Sequence, residues 1–420
     1  MALIAGVSSI TAGVTYALGL DDIFVLAGAN VISTAGNAIE TNESFNQVIV
    51  AGHVAAAFVG IRLGDSTALD GFHQVVIYDG GSVHGGDWGI SIVASNAAIS
   101  NHGTVSSGNP GIFLTASGDA NSLSQIINTG TISARSDGIL LNSFEKTVID
   151  NSGTIIGGRY ALLSTETGIE VLTNTGTMYG SVRLGGGNDI YNGLGGRVTG
   201  TVLGGNGNDI MSAGAFEDSF DGGSGVDTLE FRFGGAVRVA LDGSIDFTGV
   251  ATGDAYVGFE NIFGSLNGAD LLIGDSLANR LVGRGGNDSL VGRAGADKLE
   301  GGRGADTLSG GTGNDQFVFR NLTEIADIIT DFNSAVAGNN DAFVLVAAGF
   351  GAGLVAGVLP AGQFISAASN AAGDADDRFI FRNTDKTLWF DADGTGAVGP
   401  VLLADLQASA TMTALDILLV

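Results

Sequence analysis

Apolar and polar positions along this chain fall into two regular beats. Between Gly274 and Val318 the beat is nine residues long. GRGGNDSLV from Gly283, GRAGADKLE from Gly292, GGRGADTLS from Gly301 and GGTGNDQFV from Gly310 follow one another without a gap. In each copy six residues ending in Asp are too rich in glycine for helix or strand, which predicts a turn. The three residues after Asp hold one apolar side chain at their centre, which predicts a very short strand. Two turns and two strands close one coil of eighteen residues, and coils stack at strand spacing, about 4.8 Å. Leu272, Leu281, Leu290, Leu299, Leu308 and Phe317, each eighth in its copy, are expected to point inward and fill a narrow core.

The second beat is longer and lies upstream. NHGTV from Asn101, NTGTI from Asn128, NSGTI from Asn151 and NTGTM from Asn174 recur at spacings of 27, 23 and 23. Each is followed by a second apolar segment: GIFL at 111–114, GILL at 138–141, ALL at 161–163, SVRL at 181–184. Val and Ile strands between Asn/Gly turns at a period in the low twenties predict a parallel β-helix. The four asparagines are expected to stack as an amide ladder inside one turn of each coil. GGRVTGTVLGG at 195–205 passes from one beat to the other without a linker, so a continuous or nearly continuous solenoid is expected. Residues 231–264 break the nines and predict two or three ordinary strands bridging two runs of turns.

The stacking has a chemical consequence. Residues eighteen apart sit above one another, so Asp270, Asp288 and Asp306 form one column and Asn279, Asp297 and Asp315 another. Stacked carboxylates repel unless a cation lies between them. Glycine turns, those of Gly283, Gly292, Gly301 and Gly310 among them, aim backbone carbonyls at the same gap. Hard oxygen ligands in six-fold or higher number select calcium over zinc or copper. An upstream run reads GGNGNDIMS from Gly204, AGAFEDSFD from Ala213 and GGSGVDTLE from Gly222. Asp209 and Asp227 are eighteen apart and are expected to share an ion. Asp218, with Phe216 in a glycine position, is expected to be a weaker ligand, and Asp189 lies in an outlying copy, LGGGNDIYN.

These nonapeptides resemble the RTX (repeats-in-toxin) family, whose repeat is GGxGxDx-apolar-x and whose fold is a calcium-loaded parallel β-roll. The copies from Gly301 and Gly310 match at every position. Arg284 and Arg293 replace the second glycine of their copies, and the copy from Gly274 has Leu277 for Gly and Asn279 for Asp. VFRNLTEIADIITDFNS resembles the segment that closes the roll in secreted RTX proteins such as the serralysins. That resemblance implies a last calcium on Asp331, with Asp341 a second candidate. It also implies an uncleaved C-terminal signal, here ALDILLV, for one-step type I export from a Gram-negative bacterium. The upstream beat looks like the repeats of bacterial secreted β-solenoid passengers.

Composition narrows the function. Seventy glycines with three prolines exclude ordinary helical proteins and collagen, and 45% apolar content excludes disorder. A net charge of −27, with no basic patch, argues against nucleic acid. No run of eighteen apolar residues exists to span a membrane. Cysteine is absent, which suits a chain exported unfolded. The apolar start MALIAGVSSITAGVTYALGL has no basic residue before Arg62, so it is expected to be solenoid strand rather than a Sec signal.

Enzyme chemistry finds few residues. His53, His73, His84 and His102 are the four histidines; none stands in HExxH, and they are expected in surface loops. GDSL at 274–277 spells a lipase motif but is the start of a nonapeptide, with no histidine after it. Asp391, Asp393 and Gly394 imitate part of an EF-hand loop whose other ligands are missing, so a turn is expected. Arg135, Arg159 and Arg183 recur at 24, with Asp137 and Asp150 nearby; the expectation is charges on solvated turns.

The expected fold is therefore all-β: a right-handed parallel β-helix running into a calcium-binding parallel β-roll with a C-terminal β-rich cap. The expected divisions are a β-solenoid at 1–183, a first RTX roll segment at 184–230, bridging strands at 231–264, a second roll at 265–318, and a cap and secretion region at 319–420. The expected function is a secreted, non-catalytic calcium-binding protein of the cell surface or extracellular matrix, folding and self-assembling on calcium outside the cell. Its expected partners are calcium ions, further copies of the chain in an oligomer, layer or filament, and a surface polysaccharide. The alternatives are a polysaccharide lyase or epimerase built on the β-helix, and an adhesin.

Overall fold

The computed structural model of the chain describes residues 2–4, 9–11, 16–17, 22–41, 46–64, 71–116, 122–335 and 339–420. Nearly all of its regular structure is β, and its one α-helix among these residues is the four-residue Ala347–Phe350. Two compact units are present: a solenoid unit, residues 1–227 with 255–258, and a roll unit, residues 228–254 with 259–420.

In the solenoid unit one ladder of parallel strands starts each coil. Ala98–Asn101, Leu123–Asn128, Lys146–Asn151, Ile169–Asn174 and Ile190–Asn192 succeed one another in it. The coil shrinks along the chain, from 27 residues (Ile99 to Ile126) to 23 (Ile126 to Ile149) and then 19 (Leu172 to Tyr191). Each of these five side chains is buried, because strand alternation turns every second residue inward. Two further ladders complete the early coils, for example Thr131–Ala134 and Asp137–Ser143 in one coil. Both pair with the single eleven-residue strand Thr154–Ser164, so the coil loses a corner just before the aspartate turns begin. At the start of the chain Ala2–Ile4, Ser9–Thr11 and Tyr16–Ala17 pair in parallel with the next coil, as the apolar start predicts.

The amide ladder is present. Asn101 Nδ2 donates to Asn128 Oδ1, Asn128 to Asn151 and Asn151 to Asn174, each at 2.7 Å and each buried. Asn128 and Asn151 thus each donate to the coil after and accept from the coil before. Replacing Asn128 by Ala removes two of these bonds and strands buried polar atoms on both sides. The expected loss is about 1–3 kcal/mol, read as a lower midpoint of thermal or denaturant unfolding. An unchanged midpoint would mean that the ladder is ornamental.

In the roll unit the eighteen-residue coil is realised. Leu281 pairs with Leu299 and Leu290 with Leu308 in two facing parallel ladders. The inward columns Leu229–Ile262–Leu281–Leu299–Phe317–Phe343 and Val239–Leu272–Leu290–Leu308–Ile329 are fully buried. Within 231–264 two of the expected bridging strands are roll strands: Arg238–Ala240 pairs in parallel with Leu271–Ile273, and Asn261–Phe263 with Thr228–Glu230, each across 33 residues. The surplus residues leave as the loop before Gly249–Ala251. After the last nonapeptide, Asp327–Ile329 and Ala342–Leu345 extend the two ladders. Val401–Leu406 adds to the first of these in parallel, and Thr387–Phe390 and Phe379–Arg382 follow antiparallel as the cap. Phe317, Phe332 and Phe343 pack ring against ring beneath it.

Candidate metal centre

Each nonapeptide aspartate turns its carboxylate inside its own turn, and one oxygen serves the neighbouring coil. Asp270 N donates to Asp288 Oδ1 at 2.8 Å, Asp288 N to Asp306 Oδ1 at 2.7 Å, and Asp306 N to Asp327 Oδ1 at 3.0 Å. In the other column Asn279 N donates to Asp297 Oδ1 at 2.7 Å, Asp297 N to Asp315 at 2.9 Å, and Asp315 N to Asp341 at 3.0 Å. The eighteen-residue columns read from the sequence are therefore both present. They run one turn further than the nonapeptides do, through Asp327 and Asp341. Asp327 was not legible as a member, because its spacing from Asp306 is 21.

The second oxygen is the chemically available one. Oδ2 of Asp288, Asp297, Asp306 and Asp315 is buried and has no hydrogen-bond partner. A carboxylate oxygen out of water without a partner is costly unless a cation meets it. The glycine that opens each copy leaves room for one. A Cβ on Gly283 would stand 2.3 Å from Asp288 Oδ2 and 2.6 Å from Gly301 O. A Cβ on Gly292 would stand 2.3 Å from Asp297 Oδ2 and 2.6 Å from Gly310 O. Carboxylate and carbonyl oxygens from two turns thus converge beside the glycine, where any side chain would collide with them. Gly301 and Gly310 play the same part for Asp306 and Asp315, their Cβ positions lying 2.3 Å from Oδ2. An all-oxygen donor set of this kind fits calcium and does not fit zinc or copper.

Asn279 is the natural control. Its Oδ1 accepts from Asp275 N at 2.8 Å and its Nδ2 donates to Glu260 O at 3.0 Å. The amide keeps an oxygen, without its charge, at the Gly274 cradle and turns its donor to the carbonyl of the neighbouring coil. In the GDSL stretch Asp275 Oδ1 accepts from Leu277 N within the same turn. Arg284 and Arg293 adopt φ of 78° and 82°, the left-handed backbone that glycine takes at this place in the other copies. Their side chains are anchored, Arg284 on Glu230 and Arg293 on Asp242.

Asp331 stands apart from both columns. Its carboxylate accepts from Ser309 Oγ at 2.6 Å, Gly310 N at 3.0 Å and Gly311 N at 2.8 Å, clamping the last turn. Asp341 takes the column place instead. In the solenoid unit Glu170 N donates to Asp189 Oδ1, Asp189 N to Asp209 Oδ1 and Asp209 N to Asp227 Oδ1, at 2.7–2.8 Å. Asp189, the outlier by sequence, thus belongs to one column with Asp209 and Asp227. Asp218 lies outside it and accepts from Gly214 N within its own turn.

Three of the four histidines are exposed as expected, and His73 is not. His53, His84 and His102 are exposed and bond Ser82, Ser106 and Thr129 on the next coil, whereas His73 is buried and accepts from Asn46 N. Of the three arginines spaced by 24, Arg159 grips Asp137 through two bonds at 3.1 and 2.9 Å. Arg183 aligns with Leu163, and Arg159 N bonds Ser136 O, so the three do not share a row. Asp391 accepts from Asp393 N and Gly394 N, which is the expected turn.

Burial raises the whole array. It pushes Asp288 and Asp297 up to about 7, Asp327 to about 8 and Asp341 to about 6, with neighbouring carboxylates adding to the effect. Unfolded aspartate titrates near about 4. The folded metal-free chain therefore binds more protons between pH 4 and 8, and its stability falls as pH rises through that window. Calcium displaces those protons, so its apparent affinity is expected to rise from pH 6 to pH 8. Calcium titrations followed by circular dichroism at several pH values measure this; a midpoint independent of pH would contradict it.

The site and the fold define an all-β protein with a calcium-binding β-roll. A family model, the RTX calcium-binding nonapeptide repeat (4 copies), matches residues 203–235, 266–299 and 282–317. The chain thus carries the RTX repeats that its nonapeptides resemble, and calcium is their ion. No curated protein matches it. Among solved structures it is similar to the solution structure of the AlgE6R3 subunit from the Azotobacter vinelandii mannuronan C5-epimerase. That match has 28% identity and a TM-score of 0.26, covering 36% of this chain and 79% of the other. No helix among the described residues is long and apolar enough to cross a membrane.

Proposed function

We propose that this is a secreted, non-catalytic protein of the cell surface or extracellular matrix whose roll is assembled by calcium. The observation that carries the reading is the pair of aspartate columns with a partnerless buried oxygen at Asp288, Asp297, Asp306 and Asp315. Asp270, Asp288, Asp306 and Asp327 act as ligands on one side, and Asp297, Asp315 and Asp341 on the other. Asp189, Asp209 and Asp227 do so in the solenoid unit, and carbonyls of the glycine turns complete each set. Where calcium is scarce the columns repel and the chain stays extended enough for type I export. Where calcium is millimolar, binding energy becomes folding energy. Parallel ladders end in unpaired strand edges, which supports end-to-end assembly of copies into a layer or filament.

The test is refolding from denaturant in micromolar and in millimolar calcium, followed by circular dichroism and negative-stain microscopy. Folding and ordered assemblies only in the second condition are expected. Folding without calcium would overturn the reading, and calcium-folded monomers would remove the assembly step.

One groove favours a saccharide partner as well. On the solenoid unit Trp88 and Phe113 lie with ring centroids 4.9 Å apart, and Phe58, Arg62 and Asp87 line the same groove. Aromatic faces beside charged hydrogen-bonding groups suit the C–H faces and hydroxyls of a sugar. Glycan binding that is lost in Trp88→Ala would support this adhesin-like activity.

A further inference from the structure

The column that begins with Asp227, Asp209 and Asp189 continues into the β-helix, beyond any nonapeptide. Register places Glu170 beneath Asp189, Thr147 beneath Glu170, and Ser124 beneath Thr147. At Ser124 the column's backbone task is done by a hydroxyl: Ser124 Oγ accepts from Ala97 N at 2.9 Å. A neutral residue therefore suffices at this place in a coil, and a carboxylate at 170 exceeds what the backbone requires.

Glu170 is nevertheless fully buried, as is Asp189 above it. Its Oε1 accepts from Ser164 Oγ at 3.0 Å. Its Oε2 and Asp189 Oδ2 are buried without a hydrogen-bond partner. Gly168 opens a cradle against this group. A Cβ there would stand 2.6 Å from Glu145 O, 2.8 Å from Ser143 O and 3.3 Å from Glu170 Oε1. As at Gly283 and Gly292, a glycine faces carboxylate and carbonyl oxygens from two coils, although here the facing oxygen is Oε1, which Ser164 Oγ also meets. Here it is built by a sequence, TETGIE, that no nonapeptide pattern would find.

We infer that Glu170 and Asp189, with the carbonyl oxygens of Ser143 and Glu145 at Gly168, form a calcium site inside the β-helix. The inference rests on the reading of the aspartate columns as calcium sites, but it is tested separately. A cation there ties the last coils of the β-helix to the same calcium dependence as the roll. Two buried carboxylates facing each other without one would have to share a proton or separate.

Hydrogen exchange on the full chain, with and without calcium, reads the site directly. In the wild type calcium is expected to slow exchange in 165–174 as well as in 280–318. Glu170→Gln supplies a donor in place of the cation. It should lose the calcium effect in 165–174 while keeping it in 280–318, and native mass spectrometry should count one calcium fewer. Glu170→Asp, which keeps the charge, should need more calcium for the same protection and guards against a Gln variant that does not fold. Calcium protection of 165–174 that is equal in wild type and Glu170→Gln, with an equal calcium count, would overturn the site. So would a wild type in which calcium protects 280–318 alone. Protection of 165–174 without 280–318 would support this site and instead sink the reading of the roll.

Discussion

Chelating calcium is expected to unfold the roll unit. Its two aspartate columns hold buried carboxylates at Asp270, Asp288, Asp297, Asp306, Asp315, Asp327 and Asp341, and among the described residues no basic side chain hydrogen-bonds any of them. At neutral pH and above, ionising them costs free energy that the narrow core must offset. That core is one apolar side chain per nine residues, Leu281, Leu290, Leu299 and Leu308 being the repeating members. Calcium reverses the balance. A site filled at a thousandfold excess over its Kd adds about 4 kcal/mol, and several sites add several such terms. A small domain has only about 5–15 kcal/mol of net stability, so removing them all is decisive. Circular dichroism in EDTA should lose β signal, and added calcium should restore it. Coils between about residues 71 and 160 should keep theirs, since their turns are closed by the Asn101–Asn128–Asn151–Asn174 ladder. A spectrum unchanged by EDTA would show that the roll stands without metal.

The sequence made the regular parts legible because strict period and strict geometry are the same fact. Eighteen residues per coil placed Asp288 beneath Asp306 and Leu290 beneath Leu308, and the structure keeps both pairs. The asparagine ladder was legible for the same reason, one identical residue per coil. What the period could not reach is the irregular coil. Arg238–Ala240 and Asn261–Phe263 pair with Leu271–Ile273 and Thr228–Glu230 across 33 residues, so a nine-residue count lost them. Asp327 and Asp341 join their columns across 21 and 26 residues. Asp331 of ITDF, which stood out by resemblance, lies outside the column's backbone bonds and accepts from Ser309, Gly310 and Gly311. A parallel ladder tolerates any loop between its strands, so register is a property of the strand ends and the inward side chains. Apolar residues at the right parity, such as Ile329 and Phe343, carried that signal weakly. His73 shows the converse: a polar residue read as surface is buried because the column needs an acceptor for Asn46 N.

Asp306→Asn and Asp306→Ala are expected to separate the two tasks of a column carboxylate. One oxygen of Asp306 accepts from Asp288 N, and the other has no partner. Asn can keep the first task, accepting from Asp288 N through its amide oxygen, and removes the charge from the second. Burial holds the Asp306 carboxyl above the usual carboxylate range. A group with a raised folded-state pKa favours the fold at low pH and ceases to as pH climbs through that value. Replacing it by Asn should therefore raise the stability of the calcium-free chain at pH 7.5 and above. The same change should cut calcium-dependent stabilisation, by about 4 kcal/mol at thousandfold saturation for each site that used the carboxylate. Ala fails both tasks. It strands Asp288 N at a further cost of about 1–3 kcal/mol and destabilises the chain with or without calcium. Thermal unfolding of the three proteins in EDTA and in millimolar calcium gives six midpoints. The expected order is Asn above wild type above Ala in EDTA, and wild type above both in calcium. If Asn ranked with wild type in calcium, the free oxygen of Asp306 would hold no ion, and the columns would be hydrogen-bonded ladders alone.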